Sequence, residues 1–176
     1  MKKLLENFRS YLTEAPFSDY NKGGKVILYH YADPYSLEQR YGIRDPEKFT
    51  LDTSNFGKSY FSRNEMEASS VPRVFFYVNL DDIEKIVIGG RVLYSTEVPA
   101  SEIYDLKTDP EGYIKKIKHP DYGLRKGIEY NELLEFIRDE TPYKGIFYGR
   151  SFDVVSWLEP IEIYKAETEE KWKLEI

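Results

Sequence analysis

Along the first dozen residues, "KKLLENFRSYLT", Leu4, Leu5, Phe8 and Leu12 recur at helical spacing, which predicts a short amphipathic helix over 2–13. "APFSDYNKGG" breaks the pattern with turn formers and closes on Gly23-Gly24. The pattern then changes to apolar β-formers in "KVILYHY", a predicted strand over 25–31 that ends on His30 and Tyr31. "DPYSLEQRYGI" reads as a short helix, with Asp33 as its N-cap and Pro34 at its first position. "DTSNFGKSYFSRNEMEA" reads as a loop leading into a helix, and "RVFFYVNL" (73–80) as a strong strand. "DDIEKIVIGG" is a turn, or one helical turn, followed by a short strand closed by Gly89-Gly90, and "RVLYSTEV" (91–98) alternates as a strand does. "SEIYDL" is a further extended piece, and the polar stretch after it is a loop around one helix. "EYNELLEFIRDE" (129–140) is the clearest helix, with Leu133, Leu134 and Ile137 on one face. "GIFYG", "DVVSW" and "IEIYKAE" are short strands that complete the pattern.

Helices and strands mix without regular alternation, which disfavours a doubly wound parallel sheet and predicts an α+β fold on a mixed or antiparallel sheet. The expected organisation is an amphipathic leader (1–14), a linker (15–24) and one domain (25–176).

Composition narrows the chemistry. The chain has 176 residues, enough for a real core, and 16% of them are aromatic, including 16 tyrosines. Tyrosine suits surfaces that are apolar on one side and wet at the tip, so ligand contact and strand packing both use it. A net charge of −6 lacks the basic footprint that phosphate backbones demand, so tight non-specific nucleic-acid binding is not expected. There is no cysteine, hence no disulfide, thiolate zinc site or cysteine nucleophile, and two histidines make a poor basis for a metal site. Apolar runs fall short of a membrane span, and Leu4-Leu5 is interrupted at once by Glu6 and Asn7, unlike a secretory signal. P-loop, dinucleotide-glycine, nucleophile-elbow and zinc-protease signatures are missing.

Three separated stretches carry what chemistry can be read. In "LYHYA", His30 ends an apolar strand, either as a structural histidine with a satisfied ring or as a group that holds a ligand. In "FGKSYFSRNEMEAS", a glycine turn presents Tyr60 and Phe61 before a helix, where the plain alternative is core packing. In "YKGIFYGRSFDVVSWLEPIEI", a glycine hairpin puts Asp153 at the head of an apolar strand, a position that also suits a turn residue. Arg63 and Arg150 could fork onto a pyrophosphate or be solvated surface groups. His119, in a loop, receives no role, and the terminal charge run "ETEEKWK" reads as solvated.

In this order the three stretches resemble the ADP-ribosyltransferase superfamily, in its diphtheria-toxin-like His-Tyr-Glu branch, over residues 25–164. "RVFFYVNL" and "EIYDL" are similar to the middle strands of phage and toxin members. The resemblance implies a split mixed or antiparallel sheet with flanking short helices, and NAD as the co-substrate. It implies that His30 bonds the ribose hydroxyls of the nicotinamide half, that the Tyr31 backbone bonds the nicotinamide amide, and that Tyr60 stacks on the nicotinamide ring. Phe61 and Arg63 would line the same site, and Asp153 would stand where the family has its glutamate. The assignment suits the chemistry: a carboxylate stabilises an oxocarbenium-like ribose, and an aromatic face attracts a flat cation by about 0.5–2 kcal/mol.

The sequence departs from the family in three places. Tyr31-Ala32 follows His30 where the family prefers Gly-Thr, "GKSYF" lacks a second glycine, and Asp153 is one methylene shorter than glutamate. Glu129 and Glu97 are spare carboxylates. Two functions follow from the resemblance. One is a phage-type mono-ADP-ribosyltransferase acting in the cytoplasm of an infected host cell, with a protein as the expected acceptor. The other is an inactive binding or inhibitor module on the same fold. "YLTEA" (11–15) further resembles the cleavage pattern of phage prohead proteases, in which the cut follows the glutamate (here Glu14), so the leader looks either like a capsid-targeting segment on a head-packaged protein or like a plain N-terminal helix docked on the domain.

Overall fold

The computed structural model describes residues 16–53, 71–80, 91–114, 128–149 and 153–166; for 128–131, 148, 149 and 153 only the backbone is considered. The expected leader helix, the loop and helix carrying Tyr60, Phe61 and Arg63, the strand before Gly89-Gly90, the loop with His119, and Arg150 lie outside the described residues.

Among the described residues, eight strands form one sheet. They are β1 (Lys25–Ala32), β2 (Lys48–Leu51), β3 (Val74–Tyr77), β4 (Val92–Pro99), β5 (Ile103–Asp105), β6 (Gly145–Gly149), β7 (Asp153–Trp157) and β8 (Ile161–Lys165). Their order is β2-β8-β4-β1-β3-β7-β6-β5, and every pairing is antiparallel except β5 with β6. With two α-helices added, the described chain is α+β on a mixed sheet, as the patterning predicts.

Helix α1 (Pro34–Tyr41) begins as its sequence requires. Asp33 accepts from the Ser36 backbone N–H at 3.1 Å, satisfying one of the orphan donors of the first turn, and Pro34 needs no such partner. Gly42 ends the helix in the left-handed region (φ 71°), where a side chain would be strained. Helix α2 (Ile128–Glu140) buries Leu133, Leu134 and Ile137 completely, the face its periodicity marks.

Two cores result. In the larger, both ends of the sheet meet: Phe49 and Leu51 of β2 and Ile161 and Ile163 of β8 share one cluster with Phe147, Val155 and Trp157 of β6 and β7. The sheet therefore curls around this core, which Leu37 of α1 helps to fill. Phe17, in a short 3-10 turn (Phe17–Tyr20) within the linker region, packs on Phe147 at a ring distance of 5.0 Å. The smaller core joins α2 to Tyr104 and Ile146 of β5 and β6 and to Val71 and Leu158. Each fully buried large apolar side chain contributes about 1.5–3 kcal/mol. Gly145 lets β6 approach Trp157, since a Cβ there would lie 2.8 Å from the indole Cε3.

The strand 48–51 has no counterpart in the pattern reading. It alternates as "KFTL", with Phe49 and Leu51 inward, and pairs with β8 at four positions.

Candidate functional site

His30 occupies the weakest junction of the sheet. On one side, β1 pairs with β4 along all eight residues, from Lys25↔Pro99 to Ala32↔Val92. On the other, β1 and β3 share a single pair, Tyr29↔Tyr77. One residue further along, the imidazole takes over what a strand amide would do: His30 Nδ1 lies 3.0 Å from the Phe75 carbonyl oxygen. A carbonyl only accepts, so Nδ1 carries the proton, and in the neutral ring Nε2 is then an acceptor.

The ring also has aromatic neighbours. Phe76 lies 5.6 Å away, tilted by 59°, and Tyr31 lies 6.3 Å away and nearly parallel at 16°. The residue retains some exposed surface, yet the surroundings of the ring are dense enough for desolvation to push its pKa down to about 4, with the Phe75 bond opposing weakly. His30 is thus a neutral imidazole of fixed tautomer at ordinary pH. Of the two readings of this residue, packing and the Phe75 bond alone account for its orientation.

Tyr31 follows the end of the apolar run and continues an aromatic series. Its ring lies 5.9 Å from Tyr77 of β3, and the Arg91 guanidinium sits 4.7 Å from its centroid. Arg91 directly precedes β4, which runs antiparallel to β1, so the Ala32↔Val92 pairing brings it to the strand end that carries His30. No signal in the sequence marked Arg91, because its proximity depends on a pairing between strands 60 residues or so apart.

Asp153 opens β7, opposite Gly149 of β6. Only β3 separates β7 from β1, so position 153 and His30 belong to strands about 10 Å apart across the sheet. It shares strand parity with Val155 and Trp157, members of the core to which Phe76, the ring beside His30, also belongs. Tyr60, Phe61 and Arg63 lie outside the described residues. Of the spare carboxylates, Glu97 stands opposite Ile27, about 10 Å along β1 from His30, and pairs with Lys25 at 2.5 Å, so it is not brought to the imidazole. Glu129 begins the second residue of α2, and its side chain lies outside the description.

Among the described residues no group of three His, Asp or Glu side chains could hold a metal ion. Among them, too, no helix is long and apolar enough to cross a membrane. No protein-family model, curated protein or solved structure matches the chain.

Proposed function

We propose that the chain is a phage-type mono-ADP-ribosyltransferase that consumes NAD and modifies a protein of the infected host or of a competitor, in the host cytoplasm. The observation that carries the reading is the state of His30: a neutral imidazole of fixed tautomer, set where β1 and β3 cease to pair, in the sheet whose strand β7 begins with Asp153.

In this reading His30 Nε2 accepts from a hydroxyl of the nicotinamide ribose, and the Tyr31 backbone bonds the carboxamide. Tyr60, with Phe61, supplies the stacking surface for the ring. The bond between ribose C1′ and the nicotinamide nitrogen breaks, and its electron pair leaves with nicotinamide. C1′ passes through an oxocarbenium-like state that the Asp153 carboxylate stabilises, and the acceptor nucleophile bonds to C1′ and loses its proton. The shortness of Asp153 favours a second reading, an inactive binding module possessing the same fold and carried in the phage head. Positioning errors near 1 Å can cost ~100-fold in rate, which is about what one methylene spans.

Calorimetry with NAD, paired with an assay of nicotinamide release, tests both. The transferase should bind NAD and release nicotinamide, losing release on Asp153→Ala and binding on His30→Ala. Because the imidazole stays neutral above about pH 4, NAD affinity should be flat between pH 5.5 and 8 as far as His30 controls it. Binding without release, with Asp153→Glu restoring release, would establish the inactive module. No NAD binding at all would defeat the transferase reading.

A further inference from the structure

We propose that the sheet face turned away from His30 binds single-stranded nucleic acid. Val26 and Leu28 of β1 and Val74 and Phe76 of β3 point into the larger core. Strand alternation therefore puts Tyr29 and Tyr31 of β1 on the opposite face, together with Phe75 and Tyr77 of β3. The pair Tyr29↔Tyr77 fixes the antiparallel count, which sets Phe75 across from Tyr31. Tyr31 and Tyr77 lie 5.9 Å apart and nearly parallel, at 23°. Helix α2 covers this same face over β5 and β6, where it packs on Tyr104 and Ile146. Over β3 and β1 the face is open, with Phe75 38% and Ile27 39% exposed.

Charge selects the occupant. The Arg91 guanidinium lies 4.7 Å from the Tyr31 ring centroid, and that of Arg73 lies 5.3 Å from the Phe75 centroid, so both cations gather at one end of the rings. The carboxylates of this face are engaged: Glu97 pairs with Lys25 at 2.5 Å and Glu162 with Lys48 at 3.4 Å. Asp33, the acid that feels Arg91, already accepts from the Ser36 N–H and hydroxyl. The ring patch is thus positive on a chain of net charge −6. A base stacks on an aromatic ring or a guanidinium plane, and its phosphate meets the fork of the exposed Arg91. An acidic peptide would use the cations and leave the rings unmatched, whereas a single strand uses both. Only about one or two phosphates are met, so stacking carries the binding, and the missing basic footprint rules out tight backbone-driven binding without touching this mode.

Fluorescence anisotropy with a labelled single-stranded oligoadenylate tests the proposal. The wild type should bind it. Phe75→Leu keeps apolar bulk and loses the flat ring, and should weaken binding about tenfold. Arg91→Ala should lower the slope of log affinity against log salt by about 0.7, the share of one phosphate on a single strand, and Arg91→Lys should restore that slope. His30→Ala should leave oligoadenylate binding unchanged, so the proposal stands or falls apart from the NAD reading. No binding by the wild type, or unchanged binding by Phe75→Leu, would overturn it. So would polyglutamate competing as well as the oligonucleotide, which would mark an acidic-peptide face. A dimer in light scattering that Phe75→Leu dissociates would assign the face to a second copy of the chain and overturn it too.

Discussion

The β6–β7 ladder and the β1–β3 junction are antiparallel contacts within one sheet, and they are built on different logic. β6 and β7 pair at five positions from Gly145↔Trp157 to Gly149↔Asp153, with α2 packed behind Ile146. β1 and β3 pair once, and beyond that pair a side chain replaces the backbone donor. In the first region nearly every inward side chain is explained by burial. In the second, the sheet gives up ladder hydrogen bonds, His30 meets Phe76 on the core face, and Tyr31 meets Tyr77 and Arg91 on the other. A strand junction that forgoes pairing while gathering polar-tipped rings and a cation is where chemistry is to be sought, and a fully paired one is scaffold.

The largest effect should come from the scaffold. Leu134 is completely buried between α2 and the sheet, within the small core that also holds Leu133, Ile137 and Tyr104. Leu134→Ala removes apolar contact and leaves a cavity that a single helix over a paired sheet cannot close. We expect a loss of about 2–5 kcal/mol in urea unfolding, with NAD affinity unchanged wherever the protein remains folded. A loss below about 1 kcal/mol would show that α2 is loosely docked and would erase the contrast between the regions.

The junction should respond to acid where the scaffold does not. The pKa of His30 falls from 6.5 unfolded to about 4 folded, because burial disfavours its charged form. Above pH 6.5 the ring is neutral in both states and costs nothing. As the pH falls from 6.5 towards 4, the unfolded chain binds a proton that the folded chain refuses, so stability is lost across that window. The shift corresponds to roughly 3 kcal/mol. His30→Gln cannot titrate, so the difference in stability between it and the wild type should change by about that amount between pH 7 and 4. Parallel pH profiles for the two proteins would show that the ring is far wetter than its neighbours imply.

How much of this was legible follows the same division. The helix face of Leu133, Leu134 and Ile137, the Asp33-Pro34 start of α1 and the apolar run of β1 are local patterns, and the fold uses them as written. β2 escaped notice because four residues of alternation give little signal, and its inward Phe49 and Leu51 matter only once β8 lies beside them. At the site, His30 could be singled out as a polar end to an apolar strand. Its partner could not, because the Phe75 carbonyl becomes available only where two strands stop pairing. Arg91 read simply as the first residue of a strand over 91–98. Its place beside Tyr31 comes from the β1–β4 register, a non-local fact.

Tyr94 should give the smallest effect and still sharpen the comparison. It stands opposite His30 on β4, is fully buried, and has no hydrogen-bond partner for its hydroxyl among the described residues. Burial, with Asp45 and Glu47 adding repulsion, raises its pKa to about 12, so the group is a neutral phenol. Its ring meets Phe49 edge-on at 5.0 Å, a contact that phenylalanine would keep. An unpaired buried hydroxyl costs desolvation free energy and returns nothing, so Tyr94→Phe should be neutral or stabilising by up to about 1 kcal/mol in thermal unfolding. If the residue belongs to scaffold alone, NAD affinity will not change. A stabilised variant that binds NAD less well would move the boundary of the functional region one strand further, from β1 into β4.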